Sequence, residues 1–360
     1  AVCGRAGLQS IPGMVWPGFE DRYSGELRRK KWDAIKVDEH YCKLKPDPIL
    51  LGERSTWEKD VALESGMWER EGGKGSLFWT TIRPASVKKI KRVVVYFHGI
   101  TDCGCWLPQN IAVTQAKLAD TATIIFDMPG HGRSDGLFLY IPDWFEFVDA
   151  TFEFVIKFAV PKRDEWNPKL KMFAIGESMG GGVLTTLCLK HPEHPFAGCV
   201  MIAPMIAVAD HVKPPWVITQ FLKHVLAPLA GTFPITPTKD TTSLGFADPE
   251  MVEIGRTNPF GLCGKFRLAT ANALAFQCPE YLAEEMHRFD APLLIMHGSA
   301  DLLTEPALSK RLYDQAKATD KTYELVEGAW HADLFHGGPT RKEMVAKCHD
   351  TLHKWLEKRT

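Results

Sequence analysis

Three residues of the types that carry nucleophilic chemistry stand far apart in the chain: Ser178, Asp301 and His331. A serine hydroxyl is a weak nucleophile, and it becomes reactive when a histidine takes its proton. A carboxylate can hold that histidine in the required tautomer and stabilise its charged form. The three residues occur in the order Ser, Asp, His, which is one known order for such sites. Together they predict acyl transfer through a covalent serine ester.

Ser178 is the central residue of a G-x-S-x-G pattern that spans residues 176–180. The apolar run Met172–Ile175 before it predicts a strand, and Met179–Lys190 after it predicts a helix. A serine at this strand-to-helix turn lies where free N–H groups and the helix dipole favour negative charge. We expect glycine at 176 and 180 because a side chain there would clash with neighbouring elements. Ser178 is therefore the predicted nucleophile.

The predicted acid and base each follow a strand-like run. Leu293–Met296 precedes Asp301 by a short loop, and Thr322–Val326 precedes His331 in the same way. The carboxyl ends of parallel strands meet at one edge of a sheet, which is where such sheets bind their ligands. The spacing therefore predicts that Asp301 and His331 lie beside Ser178, as acid and base.

A fourth element is the loop that follows the run Val93–Phe97. An oxyanion hole needs one backbone N–H after the nucleophile and one from an early loop of this kind. We predict the N–H groups of Ile100 and Met179 as these donors. For His98 we expect a structural role in the loop.

Short apolar runs alternate with helical patterns through most of the chain, which predicts an α/β fold with a mostly parallel central sheet and helices on both faces. The remaining predicted strands are Leu77–Ile82, Thr123–Phe126 and Cys199–Ile202. The remaining predicted helices are Pro142–Phe158, Pro306–Ala318 and Arg341–Lys358.

Four regions follow from this pattern. Residues 1–50 are irregular and form an N-terminal extension, whose basic run Arg28–Lys31 we interpret as a solvated patch. Residues 51–204 form the first part of the core and residues 291–360 form the second. Residues 205–290 contain no convincing buried strand and are predicted to form an inserted helical cap.

Composition limits the partners and the compartment. The chain has 360 residues, 45% of them hydrophobic and 24% charged, with a net charge of −1. This balance is that of a globular protein, and it does not favour nucleic acid as a partner. No apolar run reaches the roughly 18 residues that span a bilayer. We expect a cytoplasmic or peripheral membrane protein, with organelle targeting by a removed N-terminal segment left open. Oligomeric state is not readable.

The nine cysteines are odd in number and lack the paired spacing of a metal site. We interpret them as reduced thiols, and we predict no metal or organic cofactor. Cys103 and Cys105 lie close to the predicted site. Their thiols either pack in the loop or make the enzyme sensitive to oxidation.

The motifs of residues 60–358 resemble those of monoacylglycerol lipases, especially the plant-type group that also contains caffeoylshikimate esterases. The resemblance rests on these motifs: Gly176–Gly181, Phe126–Gly136, Tyr140–Pro142, Ala203–Met205, Val212–Pro215, Asn258–Pro259, Arg267 and His297–Asp301. It implies the α/β-hydrolase fold, and it supports the triad and the two oxyanion donors at matching positions. It also implies a cap that shapes an acyl tunnel and touches membranes.

The predicted cap carries an apolar segment in which we predict three substrate-binding residues: Trp216, Phe221 and Leu222. The alternative is that this segment packs onto the sheet domain. The leading prediction is hydrolysis of monoacylglycerol to glycerol and a fatty acid. Lysophospholipids and hydroxycinnamoyl esters remain alternative substrates, and a small-molecule receptor on the same fold is an alternative of another class. Epoxide hydrolase and dehalogenase chemistry is disfavoured because it needs a carboxylate where Ser178 stands.

Overall fold

The computed structural model describes residues 25–34, 57–104, 107–207, 216–236, 241–257 and 265–360. Side chains are described for all of these except residues 31–34, 216, 218, 219 and 222. Several sequence predictions therefore lie outside the described residues. They are Cys105, the side chains of Trp216 and Leu222, and the motif residues 212–215 and 258–259.

Eight strands form one sheet. They are β1 Val61–Glu69, β2 Ser76–Pro84, β3 Arg92–Phe97, β4 Thr121–Phe126, β5 Met172–Glu177, β6 Phe196–Ile202, β7 Leu293–Gly298 and β8 Lys321–Val326. Their order in the sheet is β1-β2-β4-β3-β5-β6-β7-β8. Strand β2 pairs antiparallel with both β1 and β4, and all other pairs are parallel. This mostly parallel sheet confirms the predicted α/β-hydrolase fold.

The central strands are buried on both faces, as their continuous apolar sequences require. In β3, Val93 and Phe97 belong to the apolar cluster on one face of the sheet, and Val94 and Tyr96 belong to the cluster on the other. Every residue of β3, β4, β5 and β7 is buried. The core therefore consists of two layers with the sheet between them.

The two edge strands differ from the sequence predictions. Strand β1 was not predicted, because Val61–Glu69 includes charged residues and only part of it is shielded from solvent. Strand β8 was predicted as a strand like the central ones, but it is not buried as they are, since most of its residues are half-buried or exposed. An edge strand has a neighbour on one side only, so it does not need a continuous apolar sequence.

Fourteen α-helices are present in the described part of the chain. They are α1 Gly25–Ala34, α2 Leu107–Ala119, α3 Trp144–Phe154, α4 Val160–Trp166, α5 Met179–Lys190, α6 Trp216–Phe221, α7 Ala227–Ala230, α8 Thr241–Gly245, α9 Pro249–Thr257, α10 Leu268–Asn272, α11 Cys278–Glu285, α12 Pro306–Gln315, α13 Asp333–His336 and α14 Lys342–Glu357. Three π-helical segments join neighbouring helices: Val155–Ala159, Leu222–Leu226 and Ala273–Gln277. None of the helices in these described ranges is both long and apolar enough to cross a bilayer.

Helix α1 corrects two predictions about the N-terminal region. Residues 25–34 are helical, although an irregular extension was expected. Arg28 is only 1% exposed, so the prediction that the basic run is a solvated patch is wrong at this position. A guanidinium is buried only when its donors find acceptors, and Arg28 finds them on backbone carbonyls of the loop that follows β4.

Between β6 and β7 the described residues form short helices and one isolated bridge, Thr236 to Phe266. Helices α6 and α7 and the π-helical segment between them make one continuous helical stretch. This stretch leaves several large apolar side chains in solvent: Val217, Phe221, Val225 and Leu229.

Candidate active site

Ser178 sits at the sharp turn between β5 and α5 with φ 53° and ψ −120°. A positive φ is uncommon for a residue other than glycine, and it costs free energy that the surrounding structure must offset. Three backbone hydrogen bonds hold the turn. The Ser178 N–H donates to the carbonyl of Ile202 at 3.0 Å, and the Ser178 carbonyl accepts from Gly181 at 3.0 Å and Met205 at 2.9 Å.

The glycines around Ser178 are required by close backbone contacts, as the sequence predicted. A Cβ added to Gly180 would lie 2.0 Å from the carbonyl oxygen of Phe97, and one added to Gly176 would lie 2.5 Å from that of Gly180. A Cβ on Gly99 would lie 3.9 Å from Ser178 Oγ. The loop after β3 therefore lies directly against the serine.

Asp301 and His331 are brought together by the loops after β7 and β8. Nδ1 of His331 lies 2.7 Å from Oδ2 of Asp301, with the carboxylate fully buried. Oδ1 of Asp301 accepts hydrogen bonds from the backbone N–H groups of Leu303 at 2.8 Å and Thr304 at 3.0 Å. Within the residues that the structure describes, no hydrogen bond joins the Ser178 hydroxyl to His331.

Burial and charge oppose each other in the Asp301–His331 pair. Burial raises the pKa of Asp301, but the charge of His331 and several hydrogen bonds outweigh it and hold that pKa well below its ordinary value. Burial lowers the pKa of His331, but the Asp301 carboxylate outweighs it and raises that pKa above 6.5. The pair thus favours a charged acid beside a histidine that accepts a proton readily.

Two further residues contact Asp301, and the sequence predicted neither of them. Thr304 Oγ1 lies 2.9 Å from Asp301 Oδ2, 3.1 Å from Nδ1 of His331 and 3.1 Å from the carbonyl oxygen of Ala203. Nε2 of His297, which is fully buried in β7, lies 3.1 Å from Asp301 Oδ2. His297 directly follows the predicted strand Leu293–Met296, four residues before Asp301, and this position was a signal that could have placed it at the same sheet edge.

A buried carboxylate, that of Glu177, lies next to Ser178 in the chain. The Tyr96 hydroxyl donates a hydrogen bond to Glu177 Oε2, and Nε2 of His336 lies 3.5 Å from Oε1. Burial raises the pKa of Glu177, but the charge of His336 and these hydrogen bonds outweigh it and lower that pKa. Glu177 occupies a variable position of G-x-S-x-G, so the motif gave no signal for this network.

The loop His98–Ile100, which we call the oxyanion loop, is fixed by its histidine. The N–H of Met128 donates to Nε2 of His98 at 3.0 Å, and Nδ1 of His98 donates to the carbonyl of Gly99 at 2.7 Å. Burial lowers the pKa of His98 to about 4, so its ring is neutral and structural. Ile100 ends this loop, and Met179 is the first residue of α5, so its N–H has no acceptor within the helix.

The cysteine beside the oxyanion loop corrects another prediction. Cys103 is buried and disulfide-bonded, so the interpretation of all nine cysteines as reduced thiols is wrong there. Elsewhere in the described residues, four buried cysteines are free: Cys188, Cys199, Cys278 and Cys348. At these four positions the prediction of reduced thiols is consistent with the structure.

The chain matches the model of a known protein family over most of its length. The model of the serine aminopeptidase S33 family matches residues 88–336, which include Ser178, Asp301 and His331. The chain belongs to this family. The match covers more than half of the chain, and it leaves β1, β2 and helix α1 outside it.

Relatives of this chain include ester hydrolases. A caffeoylshikimate esterase of Arabidopsis thaliana is 29% identical over 292 residues, which cover 80% of this chain and 84% of the relative. A human monoglyceride lipase is 26% identical and covers 67% of this chain and 75% of its own length. These relatives confirm the resemblance that the motifs predicted.

A solved structure shows the same fold. It is a soluble variant of the monoglyceride lipase of Saccharomyces cerevisiae in complex with a substrate analogue, with a TM-score of 0.68 and 18% identity. The match covers 82% of this chain and 95% of the yeast chain.

Proposed function

We propose that this family member hydrolyses carboxylic esters at Ser178, with His331 as general base and Asp301 as its acid, and that its substrate is monoacylglycerol. The observation that carries the catalytic proposal is the 2.7 Å contact between His331 Nδ1 and Asp301 Oδ2 at the edge of the sheet where Ser178 lies. With Nδ1 bound to the carboxylate, Nε2 is the atom that accepts the serine proton.

The mechanism has two halves. Ser178 Oγ attacks the ester carbonyl while its proton passes to Nε2 of His331, and that proton then leaves with the alcohol. Water repeats the cycle and releases the fatty acid and the free serine. Catalytic hydrogen bonds are often long in the free enzyme and shorten when substrate binds. We therefore propose that the hydrogen bond from the Ser178 hydroxyl to His331 forms in the substrate complex.

The backbone N–H groups of Ile100 and Met179 are the proposed donors to the tetrahedral oxyanion. The close approach of Gly99 to Ser178 Oγ supports this assignment, since it brings the oxyanion loop to the reacting atom. The start of α5 adds the positive end of a helix dipole. In comparable sites, loss of one such donor raises the activation free energy by roughly 3 kcal/mol.

The lipid part of the proposal rests on the helical stretch between β6 and β7, which we propose as the cap within residues 205–290. Val217, Phe221, Val225 and Leu229 recur at every fourth position, so they share one helix face. Val217 is 70% exposed and Leu229 is 74% exposed. An apolar row in solvent is typical of a helix that docks on lipid. We propose that Phe221, with its neighbours Trp216 and Leu222, contacts the acyl chain there.

A second candidate substrate class is the hydroxycinnamoyl ester. The Arabidopsis relative named caffeoylshikimate esterase supports it, because its identity extends over 80% of this chain. The exposed apolar row favours the lipid class over this one, since a small aromatic ester does not require a docking surface.

The test is a panel of monoacylglycerols, lysophospholipids and caffeoylshikimate, assayed with the wild type and Ser178→Ala. We expect the highest kcat/KM on a monoacylglycerol and no turnover by the variant. A higher kcat/KM on caffeoylshikimate would reassign the substrate. Single-round release from every ester would instead indicate a receptor.

A further inference from the structure

Helix α1 lies on the loop that follows β4, and Arg28 is the main contact. Its Nε donates to the carbonyl of Gly132 at 2.7 Å and its Nη1 to that of Gly136 at 3.1 Å. Its Nη2 donates to the carbonyl of Ser134. Three carbonyls of one loop therefore meet one planar fork of donors, which fixes the shape of the loop.

Other contacts of α1 reach the same loop. Nη1 of Arg29 donates to the carbonyl of Arg133 at 2.8 Å and to Oδ1 of Asp135 at 2.8 Å. A Cβ added to Gly25 would lie 2.8 Å from Cα of Asp135, so the start of the helix is also pressed against the loop. The guanidinium of Arg28 lies 5.7 Å from the ring centroid of Phe138.

The far side of this loop is bound to Asp127. The N–H of Arg133 donates to Asp127 Oδ2 at 2.7 Å, and the hydroxyl of Ser134 donates to the Asp127 carbonyl. A Cβ added to Gly132 would lie 2.2 Å from Asp127 Oδ2, so the backbone is in direct contact with the carboxylate. Asp127 also faces Arg28 as a compensating charge.

The residue after Asp127 holds the oxyanion loop. Met128 donates its N–H to His98, and the ring of His131 lies 5.3 Å from the ring of His98. His98 in turn binds the Gly99 carbonyl, and Gly99 lies against Ser178. A continuous series of contacts thus runs from Arg28 to the nucleophile.

We infer that Arg28 is a positioning residue for the oxyanion loop, acting through the loop of residues 127–136. This inference rests on the proposed function, because the positioned group is the proposed Ile100 donor. Arg28 lies outside residues 88–336, so the N-terminal helix of this chain adds a support that the family match does not include. Loss of the fork frees three carbonyls, and a displacement of about 1 Å at a reacting group can lower a rate about 100-fold.

The test compares Arg28→Ala and Arg28→Lys with Lys30→Ala as matched control. Lys30 is on the same helix, and its exposed side chain pairs with Glu26. The readouts are kcat and KM on a soluble p-nitrophenyl ester, with active serine counted by fluorophosphonate titration and folding followed by circular dichroism.

For Arg28→Ala we expect kcat per active serine to fall by about tenfold or more, part of what losing one oxyanion donor costs. KM should change by less than about threefold, because the lost interaction belongs to the transition state. Guanidinium ion should restore part of kcat in Arg28→Ala, and Lys30→Ala should match the wild type. Arg28→Lys should also lose kcat, since an ammonium cannot meet three carbonyls in a fork.

A folded Arg28→Ala with wild-type kcat per active serine would overturn the inference and show a purely structural role. If Arg28→Ala does not fold, Arg28→Lys decides by the same criterion. Failure of the proposed function looks different, because the wild type itself would then hydrolyse no ester.

Discussion

His331 contacts the carboxylate of Asp301 through Nδ1 at 2.7 Å, and this single contact sets the pH range of the proposed chemistry. The base must be neutral to accept the serine proton. The pKa of His331 is raised above 6.5 because the Asp301 charge outweighs burial. The relation between these two residues therefore predicts where activity is lost in acid.

The first prediction concerns this acid limb. We expect kcat/KM to fall as pH decreases through the His331 pKa, with a midpoint above 6.5. Asp301→Asn removes the charge that raises that pKa, so its midpoint should move below 6.5. Its kcat should fall about 10⁴-fold, as in comparable triads. pH–rate profiles measure both effects, with Asp314→Asn on the surface of α12 as control. An unchanged midpoint in Asp301→Asn would contradict the pairing.

The second prediction concerns the turn that presents Ser178. Gly180→Ala places a Cβ 2.0 Å from a backbone carbonyl that cannot move without disturbing β3. We expect a loss of about 3 kcal/mol or more in the free energy of unfolding, at the upper end of overpacking costs. Urea denaturation measures it. Gly245→Ala is the control, since its nearest neighbour would be 3.9 Å away. Equal stabilities of the two variants would show that the turn is looser than described.

The third prediction concerns the buried Glu177. Tyr96→Phe removes a hydroxyl donor from its carboxylate, which should lower the free energy of unfolding by about 1–3 kcal/mol at pH 7. The pKa of Glu177 in the folded protein is lowered below its ordinary value of 4.5. The ionised carboxylate therefore stabilises the folded protein above pH 4.5, and this contribution is lost as the pH falls through the folded-state pKa. The difference between wild type and variant should therefore shrink in acid. Denaturation at several pH values tests this, with the half-buried Tyr281→Phe as control.

The sequence predicted which residues meet at the ends of the strands, but not the residues that surround and contact them. Ser178, Asp301 and His331 follow apolar runs, and parallel strands that end at one edge must bring such residues to the same side of the sheet. Thr304 and Glu177 carry no local pattern, because their contacts come from loop geometry and from distant strands. Strand β1 was missed for a related reason: an edge strand needs little apolar sequence. Arg28 was misread because a basic run normally lies in solvent, and only the folded chain supplies the three carbonyls that bury it.

The fourth prediction concerns the exposed apolar row of the proposed cap. Val217→Gln combined with Leu229→Gln should weaken binding to phosphatidylcholine vesicles containing monoacylglycerol, because both side chains are more than half exposed and are free to enter lipid. Turnover of a soluble p-nitrophenyl ester should stay the same. The control is Leu118→Gln on α2, which is also more than half exposed but lies in another helix. Equal vesicle partitioning of the double variant and the control would contradict docking through this row.

The most direct test of the central claim is covalent labelling with a fluorophosphonate, mapped by peptide mass spectrometry. The account predicts a single adduct on the Ser178 hydroxyl, complete loss of ester turnover in step with labelling, and no adduct in folded Ser178→Ala. Labelling at another serine, or ester turnover that survives in Ser178→Ala, would contradict it.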